Sequence, residues 1–142
     1  MKKILSVVAM LALLSLGALA EKKGSEGWNA LGVVRNARYV YVTSYDGPQF
    51  SLNLFPEDRT AIANVQNAIH DAGYVVVYNP HMADMVLAVQ ARGSSDLLAV
   101  YDAHGFGGSY LWRAEAKHGL TGSNPLLMQQ LESALERVGA KS

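Results

Sequence analysis

Two hydrophobic periods alternate along this chain, and their order constrains the fold more than any other feature. Residues 38–43 (RYVYVT) are β-branched and aromatic with period two, so they read as a strand with Val40 and Val42 on one face and Tyr39 and Tyr41 on the other. After a loop marked by Asp46-Gly47-Pro48 the period changes, and Ile62, Val65, Ile69 and Ala72 recur at helical spacing. Pro56 fits the first turn, where its missing N–H costs nothing, and Glu57 and Asp58 read as an exposed pair facing the positive end of the helix dipole. Gly73 supplies the left-handed residue that stops a helix. Four further β-prone runs follow: 74–78 (YVVVY), 84–90 (DMVLAVQ), 97–103 (LLAVYDA) and 109–116 (SYLWRAEA). Ser123-Asn124-Pro125 then opens a second helix whose apolar stripe is Leu127, Leu131, Ala134, Leu135 and Val138, with Gly139 as its stop. The expectation is an α+β two-layer sandwich: a four- to five-stranded mixed sheet, in shorthand β-α-β-β-β-α, with two helices on one face. The strand–helix–strand unit reads as a parallel crossover and residues 84–116 as an antiparallel meander.

Ahead of this pattern stand Lys2 and Lys3, an apolar run from Ile4 to Leu16, and the small-x-small triplet Ala18-Leu19-Ala20. These are the three regions of a secretory signal peptide in order, with cleavage expected after Ala20. The uncharged stretch 4–20 falls short of the ~20 residues that span a bilayer core, which leaves no stable membrane anchor after cleavage. The chain has 0 Cys, so no lipid-modified cysteine follows the cleavage point and neither disulfide nor thiol chemistry is on offer. Residues 21–37 read as a flexible leader, with the part after Trp28 able to dock on the domain, and 38–142 as a single domain. The expected location is periplasmic or secreted.

Of the 12 Lys and Arg residues two lie in the signal peptide, so ten face the 12 Asp and Glu residues, a net charge near −2. The charges are dispersed. Nucleic-acid binding draws on clustered cations that displace counterions from phosphates, and that signature is missing.

Candidate chemistry is sparse. His70 falls near the end of the first helix and His118 after the last strand, both ordinary solvated positions. His81, Asp84, Asp102 and His104 are more suggestive. In an antiparallel meander the end of one strand lies beside the start of the previous one. Two imidazoles and two carboxylates then converge as a divalent ion would need. Neither an i,i+4 His pair nor an H-E-x-x-H helix accompanies them, so no metal or other cofactor is assigned. The 105–108 run (GFGG) lies between strands, where a hairpin turn needs its glycines and a phosphate loop has no helix to lead into. No G-x-S-x-G elbow occurs, and Ser44, Ser51 and Ser109 lack a spaced His or Asp partner.

The remaining feature is aromatic. If helices cover the face bearing Val40, Val42, Val75 and Val77, then Tyr39, Tyr41, Tyr74 and Tyr78 line the uncovered face. Tyrosine combines a large apolar area with a polar tip at low entropic cost, which suits a recognition surface.

Three segments together, 68–74 (AIHDAGY), 83–87 (ADMVL) and 98–103 (LAVYDA) leading to 111–114 (LWRA), are similar to a family of exported bacterial α+β domains of acidobacterial type. Those domains resemble in turn the amino-terminal domain of TolB and the curli-secretion lipoprotein family. The resemblance implies that ADMVL begins a core strand and that LWRA pairs with LAVYDA. It carries over no catalytic residue. Many of those domains are lipoproteins, whereas this chain has no Cys for a lipid. The expectation is a non-enzymatic envelope or secreted module that binds a protein or cell-wall component through its sheet face or edge. A metal-binding protein or metal-dependent enzyme using His81, Asp84, Asp102 and His104 is the alternative, and self-assembly into a homo-oligomer is open.

Overall fold

The computed structural model describes residues 30–104 and 109–141, with side chains through Gly139. The expected signal-peptide run, most of the expected leader including Trp28, and the expected hairpin turn at 105–108 therefore lie outside the described residues.

Among the described residues five strands and two complete α-helices form, one strand more than the shorthand counts: β1 (Tyr39–Ser44), α1 (Arg59–Asp71), β2 (Val75–Val77), β3 (Met85–Gln90), β4 (Asp96–Asp102), β5 (Trp112–Ala116) and α2 (Leu126–Lys141). The sheet order is β2-β1-β3-β4-β5. β1 is parallel to both β2 and β3, while β3-β4-β5 is an antiparallel meander, as the two sequence units require. Gly139 does not stop α2, which runs on to Lys141.

Both helices lie on one face. Val65, Ala68 and Ile69 of α1 and Leu127, Leu131 and Val138 of α2 share one buried cluster with Val40, Val42, Met85, Leu87, Leu98, Val100 and Trp112. That inward set alternates along every strand, the period-two consequence of a pleated backbone. Leu31 and Val34, in a single 3₁₀ turn, join the same cluster beside α2. The leader expected to run to residue 37 is thus already part of the packed domain at Leu31.

The opposite face is not simply open. Val86, Ala88, Leu97 and Ala99 are buried there under Tyr45 and Tyr101, with Phe50 packed on the cluster. Phe50 meets Tyr101 edge-on at 6.0 Å, and the Tyr101 hydroxyl donates to the Gly47 carbonyl at 3.0 Å. Burial pushes the Tyr101 phenol well above its ordinary pKa. The segment after β1 therefore roofs the middle of this face and leaves the β1–β2 end exposed.

Candidate functional site

The site is set by where α1 stops. Gly73 takes φ +98°, and the chain closes a Schellman motif: Gly73 N–H donates to His70 O and Tyr74 N–H donates to Ile69 O, both at 3.0 Å. This motif brings the residue after the glycine back onto the helix end, and Tyr74 packs against the helix-side core accordingly. Side-chain direction in β2 follows from that start. Tyr39 pairs with Val75, Val40 with Val76 and Tyr41 with Val77. Val75 and Val77 thus share the outer face with Tyr39 and Tyr41, while Val76 joins Val40 on the helix side.

This corrects the expected tyrosine face. Tyr39 (40 % exposed) and Tyr41, which is half-buried beneath the outer cluster, stand where they were expected. Tyr74 is half-buried on the helix side, where burial, aided by the charge of Glu132, raises its pKa. Tyr78 follows β2 at the rim of α1 and is 78 % exposed. The four rings do not form one surface.

What does form is a groove along the β2 edge. Val75 N–H donates to Arg38 O at 2.9 Å, toward β1. In a parallel ladder alternate residues turn their backbone groups to opposite sides, so Val76 directs its N–H and C=O outward. Gln66, Asn67 and His70 on one flank of α1 line a hollow with Tyr74, Val76 and Tyr78 of about 710 Å³. Gln66 and Tyr78 also line a second cleft of about 430 Å³, shared with Tyr41, Leu54, Phe55 and Ile62.

The second cleft has a topological cause. β2 pairs only with Tyr39–Tyr41, whereas β3 follows β1 as far as Ser44. On its β2 side the far half of β1 thus has no strand beside it among the described residues. Residues 53–55 pass there instead: the Ser44 hydroxyl accepts from Phe55 N–H at 2.9 Å and the Thr43 hydroxyl donates to Asn53 O at 3.5 Å. Leu54, 60 % exposed, and Leu52 remain outside.

A buried ion pair fixes this wall. Asp58, expected on an exposed turn, is fully buried; it accepts from Ala91 N–H at 2.8 Å and from Arg92 Nε at 3.0 Å. Arg92 also donates to the Tyr45 carbonyl and stacks 3.8 Å over the Phe55 ring. The sequence signal for this was faint, because an acid after Pro56 matches helix-dipole chemistry equally well.

The His/Asp set converges only in part. Asp84 Oδ2 accepts from the Arg38 and Tyr39 amides, each at 3.0 Å, and Oδ1 lies 3.4 Å from His104 Nε2. Those backbone donors, Tyr39 first, hold the Asp84 carboxyl below its ordinary pKa, with His104 adding to them. Asp102 turns to its own loop and accepts from His104 N–H at 3.0 Å, while Asn79 Oδ1 accepts from His81 N–H at 3.0 Å. Among the described residues no three His, Asp or Glu side chains are placed to hold a metal ion, so the four-residue centre of the alternative reading does not assemble there. Asp84 instead ties the start of β1 to β3. His118 adopts φ 56° in a turn and His70 pairs loosely with Asp71 at 3.8 Å.

Against protein-family models, curated proteins and solved structures alike, the chain gives no match. Among the described residues no helix is long and apolar enough to cross a membrane.

Proposed function

We propose that this chain is a non-catalytic binding module, exported to the periplasm or beyond, that receives an extended segment of a protein partner along the β2 edge. The observation that carries the reading is β2 itself. It is three consecutive valines whose middle residue directs its backbone outward, flanked by Tyr74 and Tyr78, with no charge from Tyr74 to Pro80. Soluble sheets normally blunt such an edge with charge, proline or a covering segment. An edge left apolar beside a groove suits strand addition, in which main-chain hydrogen bonds supply affinity and a neighbouring pocket supplies selectivity. Export is supported by the basic, apolar and small-x-small order of residues 2–20.

Selection from a displayed random-peptide library against the purified domain tests this. Enriched sequences should be β-prone with one large apolar residue, and Val76→Pro and Tyr78→Ser should each abolish their binding. Val76→Pro removes the outward N–H at an edge position where proline is tolerated. Peptides whose binding survives both variants, or a library yielding no binder, would remove the proposal.

A further inference from the structure

Resting on the strand-addition reading, we infer that the partner segment is acidic: it places a large apolar side chain in the Leu54–Tyr78 cleft and an aspartate or glutamate side chain, two residues away, against Arg59. Both walls of the groove offer hydrogen-bond donors, and among the described residues neither offers a carboxylate. Arg59 begins α1 and lines the cleft with Ile62, Gln66 and Tyr78, and Asn67 and His70 continue the wall along the same helix flank. The spacing 59, 63, 66, 70 is one stripe of a helix, so these groups face the groove together.

Arg59 is exposed, and no hydrogen bond, ion pair or ring contact engages its guanidinium among the described residues. The acids close to it in sequence are committed or turned away. Asp58 is buried against Arg92, Asp71 sits by His70 at the far end, and Glu57 lies on the turn outside the cleft lining. The other cation near this rim, Arg92, is spent on Asp58 and the Tyr45 carbonyl. A forked donor beside an apolar hollow without a counter-charge matches a carboxylate presented next to an apolar anchor. Side chains two apart on a strand point the same way about 7 Å apart, which places both on the groove side of an added strand. The carboxylate belongs to an internal side chain, because Arg59 stands on the flank of the cleft and the hollow along β2 extends from Gln66 and Tyr78 toward His70, so the added segment runs on beyond the ion pair.

The test uses three fluorescein-labelled, end-blocked heptapeptides: Val-Asp-Val-Leu-Val-Asp-Val and its versions with both aspartates replaced by asparagine or by lysine. Acids on both sides of the leucine make the probe indifferent to strand direction. Fluorescence anisotropy at low salt should show the aspartate peptide binding about threefold more tightly than the asparagine peptide and about tenfold more tightly than the lysine peptide, the scale of one exposed ion pair gained or opposed. Arg59→Gln, an exposed site whose far-ultraviolet circular dichroism should match wild type, should erase the preference, and Arg59→Glu should reverse it. Equal binding of all three peptides by wild type, lost in Val76→Pro, would overturn the acidic partner and leave strand addition standing. A preference that persists in Arg59→Gln would also overturn it. No binding of any peptide to wild type at millimolar concentration would overturn both readings.

Discussion

The two edges of this sheet solve the same problem in opposite ways. β5 ends one side with Trp112 buried beneath α2 and with Arg113 and Glu115 on the outward face, their charged groups 3.2 Å apart. Arg113 also lies 6.0 Å from the Tyr45 ring and 5.8 Å from the Tyr110 ring, so it roofs the outer cluster while marking the edge with charge. Pairing another strand there would desolvate that ion pair. β2 carries only valines, half as much of β1 as it could cover, and a groove on its helix side. Edge chemistry in this molecule is therefore asymmetric, and the asymmetry, more than any catalytic cluster, is what distinguishes one side of the domain from the other.

Several substitutions break or sharpen that contrast. The largest effect is expected at the wall beside β2. Asp58→Ala strands Arg92 and the Ala91 amide and should destabilise the fold by about 3 to 5 kcal/mol, measured by urea unfolding. Asp84→Ala removes two backbone hydrogen bonds to a carboxylate at the start of β1 and should cost about 1 to 3 kcal/mol. Its pH signature has a definite sign. Because the Asp84 carboxyl titrates in the folded state below its ordinary value of 3.8, its contribution is complete above that value and disappears as pH falls through the folded-state value. Wild type and Asp84→Asn should therefore differ constantly between pH 6 and 7 and converge in acid; a gap that widens in acid would contradict the assignment. Val76→Pro should cost about 1 to 2 kcal/mol in stability while removing peptide binding outright. The smallest change in stability, within about 1 kcal/mol, is expected for Arg113→Thr combined with Glu115→Thr. That pair should instead give the β5 edge a tendency to self-associate, visible as concentration-dependent mass in light scattering. Unaltered mass would show that charge is not what guards β5.

Much of this fold was legible in the sequence because local signals agree with it. The helical stripes of α1 and α2, the glycine stop at Gly73 and the succession of elements along the chain rest on short-range periodicity, and burying two apolar stripes on one sheet places both helices on one face, whereas the order of strands across the sheet was out of reach. The β2 side-chain parity was not legible from periodicity alone. YVVVY reads equally well on either face, and only the Schellman turn, which folds Tyr74 back toward Ile69, decides between them. Ala-Gly-Tyr was the available clue. Asp58 was misplaced because its partner Arg92 lies 34 residues away, and a burial decided by tertiary pairing leaves no local trace. The roof over the outer face was missed for a related reason: Tyr45 and Phe50 sit in a loop without period, where no pattern assigns a face. The groove itself depends on β2 stopping at Val77 while β1 continues, a difference in length that only the register shows.

Amide hydrogen exchange of the domain with and without a saturating library-selected peptide tests the central claim most directly. Strand addition predicts that the outward amides of Val76 and Tyr78 slow by at least about tenfold, the factor that about 1.4 kcal/mol of added protection gives, while amides of β5 exchange as before. Protection appearing along Trp112–Ala116, with Val76 and Tyr78 unchanged, would contradict it.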